Sequence, residues 1–261
     1  MTDVFSFREG DAPLLISVPH DGRDLPDTIR ERMTSEGVAL PDTDWHVARL
    51  YDFVRELGAS MLVANYSRYV VDLNRPATDD ALYKGQVATG LCPTQTFSGE
   101  DIYVRGDVDA GEMASRIETY WRPYHEKIEQ EITRMLAHHG FALLWDAHSI
   151  AGVVPRLFDG ELPALNIGTN SGASCAPHIE RAVVEAGEAS PYKTVVNGRF
   201  RGGYITRHYG GPGNNVHALQ LEISQRTYMD ENTGVFDDAL AGQLRETLQQ
   251  LISGFLRVAS H

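Results

Sequence analysis

The run Phe141-Ala142-Leu143-Leu144-Trp145-Asp146-Ala147-His148-Ser149 decides how the rest of the chain is read. Its first half has the length and apolar character of a buried strand, and its second half ends in an acid and an imidazole two residues apart. Alternate residues of a strand share a face, so Asp146 and His148 point the same way. A strand reaching solvent, or a core histidine with a satisfied hydrogen bond, accounts for this ending without function. A metal or acid–base site at a strand's carboxyl end accounts for it with one, and needs partners from elsewhere in the chain.

Working outward, short apolar runs recur at 14–18, 61–64, 69–73, 141–145, 164–167, 193–196 and 218–223, and read as strands. Between them lie segments of helical period. Residues 44–57 carry Val47, Leu50, Tyr51 and Val54 on one stripe, and 110–139 carry Ile117, Trp121, Tyr124, Ile128, Ile132 and Met135. Segments 175–186 and 236–258 add two more helices. Strands alternating with helices predict an α/β fold, its sheet mixed or mostly parallel and covered on both faces. Functional groups of such folds gather at the carboxyl ends of strands, where Asp146 and His148 are expected.

The 261 residues show no internal repeat, low-complexity tract or linker, so one domain over 1–261 is expected. A net charge of −13 and the lack of a Lys/Arg stripe argue against a nucleic-acid surface. No stretch approaches the roughly 20 apolar residues of a membrane span, and the N-terminus does not read as a signal peptide, so a cytoplasmic protein is expected. Cys92 and Cys175 form no CxxC pair and are expected to be packing residues.

A second strand, Leu14–Val18, also delivers a histidine, His20, in "SVPHDG". Two histidines at two strand ends suggest a metal, and zinc needs a third protein ligand with a further position open if the site is catalytic. In "LPDTDWHV", Asp42, Asp44 and His46 crowd a helix start. Helix capping explains one acid there; Asp44 is chosen as the ligand and Asp42 as the cap. In "YVVDLNRP", Asn74 and Arg75 form a fork of donors suited to a carboxylate, or Arg75 pairs with Asp72 at the surface. In "HALQLEISQ", Glu222 alternates with the apolar set, either toward solvent or into a strand-end pocket as a general base. The glycine-rich, basic "RFRGGYITRHYGGPGNN" reads as a mobile loop that brings an arginine over the site. No GxSxG elbow or catalytic cysteine setting is present, which leaves metal-assisted hydrolysis.

Taken in order, "SVPHDG", "DTDWHV", "SRYVVDLNRP", "DAHSI", "GRFRGGYITRHYG" and "LQLEISQRTYM" resemble the N-formylglutamate amidohydrolase family over about Leu14–Met229. That family is related to the zinc carboxypeptidases. The resemblance implies a three-layer αβα fold of the phosphorylase/hydrolase-like kind, a central mixed sheet and one catalytic zinc. It assigns the last zinc histidine to His148, the substrate-carboxylate pair to Asn74 and Arg75, and the catalytic glutamate to Glu222. Arg207 and Tyr204 are carried over as further substrate contacts. Where the carboxypeptidase pattern has a glutamate ligand three residues after the first histidine, this chain has Arg23; Asp44 is the natural substitute.

The reaction so implied is hydrolysis of N-formyl-L-glutamate to formate and L-glutamate, a step of one route of histidine degradation. His20, Asp44 and His148 would hold the zinc, with Asp146 either orienting an imidazole from behind or ending the strand. The partner is a small substrate with two carboxylates, which gives an acidic chain a reason to keep arginines near a pocket. Other deacylation or carboxypeptidase chemistry, and a binding protein without turnover, are the rival readings. A monomer or small homo-oligomer suits either.

Overall fold

In the computed structural model, which describes residues 3–80, 89–105 and 108–259, the apolar runs assemble into one seven-stranded sheet. Its strands are β1 (Phe5–Arg8), β2 (Leu14–Val18), β3 (Ser60–Ala64), β4 (Ala142–Ile150), β5 (Leu165–Gly168), β6 (Thr194–Val196) and β7 (Val216–Ser224). The order is β1-β3-β2-β4-β7-β5-β6. Only β1/β3 and β5/β7 pair antiparallel; the other four pairings are parallel. The sheet is therefore mixed and mostly parallel.

Eight α-helices are described: α1 (Asp27–Arg30), α2 (Ser35–Ala39), α3 (Val47–Leu50), α4 (Ala110–Arg116), α5 (Arg122–His139), α6 (Pro177–Glu188), α7 (Tyr204–Tyr209) and α8 (Asp238–Ala259). None of the described helices is long and apolar enough to cross a membrane. On one face of the sheet, Ile16, Trp145, Leu219 and Leu221 pack with Val183 of α6 and Leu248 and Phe255 of α8. On the other, Leu15, Leu62, Leu144 and Ala218 pack with Tyr124, Ile128 and Met135 of α5. Helices on both faces of a mixed sheet make three layers, and Cys175 and Cys92 are buried one in each interface.

The face toward α5 changes character partway along two neighbouring strands. In register, Leu144 lies beside Ala218, Asp146 beside Gln220 and His148 beside Glu222. Strand β2 pairs with β4 only as far as Ser17 opposite Asp146, so β4 and β7 run on past its end. Apolar residues under α5 thus give way to polar ones where the sheet opens into a crevice. The run at 141–149 does not stop at Trp145: it stays in the strand to Ile150, all nine residues of β4 being buried. Its polar residues can remain there because the residues beside them are polar too.

Three expectations need correction. Residues 69–73 form no strand: 71 and 72 are irregular and lie between turns at 68–70 and 73–74. Their backbone groups find partners outside any ladder: Arg116 Nη1 donates to the Val70 carbonyl (2.9 Å), His125 Nε2 to that of Leu73 (2.9 Å), and Asp72 N to that of Leu91 (2.7 Å). With those groups satisfied, the segment is free to turn Asp72 and Asn74 inward. The helix expected over 44–57 is two short pieces, α3 and a 3-10 turn at Asp52–Arg55. It starts late because His46 has φ 63°, and its cap is Asp21: the carboxylate accepts from His46 N (3.2 Å) and Ala48 N (2.8 Å). Asp42 caps nothing; it accepts from Tyr69 Oη (2.6 Å) and Phe97 N (2.8 Å). The helix at 110–139 forms as expected, with a π-helical turn at Ile117–Trp121 ahead of Pro123, whose missing N–H cannot continue the α-ladder.

Candidate active site

Three segments converge over the crevice. His20 follows β2, Asp44 precedes α3 with its N–H bonded to the His20 carbonyl (3.1 Å), and His148 projects from β4. Among the described residues, His20, Asp44 and His148 are the group whose ligand atoms all lie within 4.8 Å of one another. The Nδ1 atoms of both imidazoles face the same carboxylate oxygen, Asp44 Oδ2, at 3.8 Å from His20 and 3.0 Å from His148. Ser149 N donates to that oxygen as well (3.1 Å). Buried His20 Nδ1 has no hydrogen-bond partner among the described residues, an arrangement that suits an atom with a cation to bind.

The far nitrogen of each imidazole meets a carboxylate. His20 Nε2 lies 2.8 Å from Asp72 Oδ1, and His148 Nε2 lies 3.1 Å from Asp146 Oδ2. A carboxylate behind an imidazole fixes its tautomer and leaves the other nitrogen's lone pair for a metal. The donor set therefore fits a zinc-type ion, and Asp146 lies within the strand against His148 rather than at the strand's end. Arg68 joins the two halves: Nη2 reaches Asp72 Oδ2 at 2.8 Å and Nη1 reaches Asp44 Oδ1 at 3.5 Å. Burial would lower the His148 pKa, but Asp146 and Asp44 raise it well above the ordinary imidazole value. The same negative potential would favour a metal cation. For His20, burial and then the Arg68 charge lower the pKa despite Asp72.

Glu222 does not face solvent. It lies beside His148 on β7, is buried, and accepts from Gln220 Nε2 (3.1 Å). Burial, assisted by the Asp44 and Asp146 charges, pushes its pKa up to about 8. Asn74 is held from several sides: Nδ2 donates to Asp146 Oδ2 (3.0 Å) and lies 2.8 Å from His148 Nε2, while Oδ1 accepts from Ile205 N (2.8 Å). Residue 203 must be glycine for this, since a Cβ there would sit 2.4 Å from Asn74 Nδ2. Gly203 N also donates to Gln220 Oε1 (2.6 Å). The glycine-rich stretch is thereby pinned to both Asn74 and β7, and continues into α7.

The cavity over this group is lined by three arginines, Arg68, Arg75 and Arg199, together with Phe97, Leu157 and Phe200. Arg75 does not pair with Asp72 through its side chain; its buried Nε has no hydrogen-bond partner among the described residues. Arg207 and Tyr204 are not among the lining residues. Arg207 Nε turns back to the Gly202 carbonyl (2.7 Å), and Tyr204 stacks on His208 and borders Trp121. Arg23 lies over the Trp45 ring and pairs with Asp21, away from the ligand group. His46 is also outside it, its Nε2 against the Gly234 carbonyl (2.9 Å). Sequence reasoning passed over Arg68, met Asp72 only as a surface partner for Arg75, Gln220 only as a polar alternate of its strand, and Arg199 only as one basic residue of the glycine-rich stretch. The polar alternation Gln220/Glu222 was a usable signal for one of them.

Comparison with known proteins gives the chain's family. The profile of the family described as N-formylglutamate amidohydrolase matches residues 12–229. Curated proteins of Pseudomonas putida and Pseudomonas aeruginosa, each named N-formylglutamate deformylase, are 49% identical over 259 residues, covering 98% of this chain and 97% of theirs. Among solved structures, an N-formylglutamate amidohydrolase from Ralstonia eutropha JMP134 superposes with a TM-score of 0.84 at 23% identity, covering 98% of this chain and 99% of its own. The Agrobacterium tumefaciens gene product Atu2144 follows at 0.72 and 18%, covering 97% and 96%. Those two structures speak for the fold; with the profile and the two relatives, the chain belongs to the N-formylglutamate amidohydrolase family.

Proposed function

We propose that this chain hydrolyses N-formyl-L-glutamate to formate and L-glutamate, with one zinc ion held by His20, Asp44 and His148, as a step of histidine degradation. The observation that carries the reading is the convergence of two carboxylate-backed imidazoles and Asp44 beside a buried glutamate with a raised pKa. The substrate is taken from the names of the two Pseudomonas relatives.

When bound, zinc supplies Lewis-acid polarisation of the formyl carbonyl and makes a water more acidic. The chain's own residues do the rest. Asp72 and Asp146 hold the two imidazoles in their working tautomers, and Arg68 keeps Asp72 and Asp44 charged and in place. Glu222 removes a proton from the water that attacks the formyl carbon, then delivers it to the amide nitrogen as the C–N bond breaks. Water thus ends as the second oxygen of formate, and glutamate leaves as the amine. Arg75 binds a substrate carboxylate, and Asn74 holds the Arg75 segment against Asp146 and α7.

The test is release of the free amino acid, glutamate or aspartate, from N-formylglutamate, N-acetylglutamate and N-formylaspartate, with added zinc and after chelation. Turnover of the first above the others, lost with chelator and restored by zinc, is expected. Turnover of N-acetylglutamate in preference, or activity indifferent to chelation, overturns the reading.

A further inference from the structure

We infer that Gln220 is the positioning residue of the proposed base: its side-chain amide, turned by the backbone N–H of Gly203, holds Glu222 Oε2 and so presents Oε1 to the reacting water. This rests on the function proposed above and adds a residue that acts through Glu222.

A carboxylate can rotate about its last bond, and a base needs one oxygen held where the proton leaves the water. Gln220 and Glu222 share a face of β7, and both are buried. Gln220 Nε2 lies 3.1 Å from Glu222 Oε2, and Gly203 N lies 2.6 Å from Gln220 Oε1. Together these two bonds fix the sense of the amide. A backbone N–H can only donate, so the amide atom that faces Gly203 is the oxygen, and the atom that faces Glu222 is the nitrogen, a donor without acceptor capacity. Glu222 therefore meets a donor that favours its charged form. With Oε2 taken in this way, the water's proton falls to Oε1.

Glycines let that N–H reach the sheet. Beside Gln220 in register on β5 stands Gly168, where a Cβ would lie 2.5 Å from Gly202 N, and a Cβ on Gly203 itself would lie 2.4 Å from Asn74 Nδ2. The glycine-rich stretch thus rests its backbone on the sheet next to the base, and one of its amides acts on Glu222 through Gln220. A side chain that merely filled the gap between strand and loop would need neither a donor toward Glu222 nor an amide of fixed sense.

The experiment measures kcat and KM for glutamate release from N-formylglutamate, per zinc-loaded molecule, in wild type, Gln220→Met, Gln220→Leu and Glu222→Gln, and in each Gln220 variant combined with Glu222→Gln. Both Gln220 substitutions remove the donor, and Gln220→Leu carries the test should Gln220→Met unfold in urea controls. Losing a hydrogen bond to a charged group is expected to lower kcat about 10- to 100-fold, with KM nearly unchanged. In the Glu222→Gln background no base is left to place, so the second substitution is expected to cost nothing further. An unmoved kcat, a loss that appears in KM instead, or the full loss repeated on top of Glu222→Gln would overturn the inference while leaving the deformylase reading intact. A wild type that releases no glutamate overturns both.

Discussion

Replacing Glu222 by Gln separates catalysis from folding, because the two respond in opposite directions. The side chain is 6% exposed and its Oε2 accepts from Gln220 Nε2 at 3.1 Å. An amide of the same shape keeps that acceptor and loses only the capacity to take a proton. General-base catalysis contributes about 10²- to 10⁴-fold, or roughly 3–5 kcal/mol of barrier. Stability behaves otherwise. The Glu222 pKa stands at about 8 in the fold against an ordinary 4.5, so between those values the folded state binds more protons than the unfolded one. A group raised in this way makes stability fall as pH climbs through that window, by up to about 1.4 kcal/mol per pH unit. Glutamine does not titrate, and the slope disappears with it. Formate-release kinetics on the zinc-loaded variant and urea unfolding of the zinc-free protein between pH 5 and 8 measure the two effects. At least a 100-fold loss of kcat with equal or greater stability at pH 8 is expected. A loss under 10-fold, or a loss accompanied by a drop in stability, refutes the assignment of Glu222 as base.

Other perturbations follow from the same geometry. Asp72→Asn and Asp146→Asn each remove the carboxylate behind one imidazole, and each should weaken zinc binding about 10- to 100-fold in competition with a chromophoric chelator. His125 is buried and neutral, its pKa lowered to about 3 chiefly by burial. A depressed imidazole adds stability that is complete above pH 6.5 and drains as pH falls toward 3. Wild type should therefore lose about 1.4 kcal/mol more than His125→Gln between pH 7.5 and 5.5 in urea unfolding. Trp121 Nε1 donates to the Arg75 carbonyl at 2.9 Å, so Trp121→Phe should raise KM for N-formylglutamate about 3- to 10-fold with kcat nearly unchanged in steady-state assays.

The parts of this site that could be read from sequence are those that strand periodicity places. His20 and His148 stand at or near the ends of apolar runs, Glu222 alternates with Leu221 and Ile223, and each of those patterns is local. Arg68 and Asp72 escaped because β-branched content in "SRYVVDLNRP" favours a strand, while the turns that form rely on Arg116 and His125, some fifty positions later in the chain. Propensity carries no information about carbonyls satisfied from that distance. Arg199 and Arg207 share one glycine-rich stretch, yet Arg199 Nε donates to the Leu157 carbonyl and Arg207 Nε to that of Gly202, a difference no local pattern carries.

The strand that seemed to end at Trp145 makes the same point about charge. Its continuation buries Asp146 and His148 against Gln220 and Glu222, which is tolerable only if the surrounding charges balance. Asp44, Asp72, Asp146 and Glu222 gather four carboxylates at the ligand group, where Arg68 pairs with two of them. Without a cation, protons must absorb the excess, and the raised pKa values of His148 and Glu222 are where they go. A divalent ion at His20, Asp44 and His148 would supply the missing positive charge, displace the His148 proton and let Glu222 ionise as a base should. The acidity that would otherwise burden the fold is then what would tie zinc binding to the ionisation of Glu222, the proposed base. Zinc binding should accordingly release protons, a quantity that calorimetry in buffers of different ionisation enthalpy measures; binding without proton release would break that link.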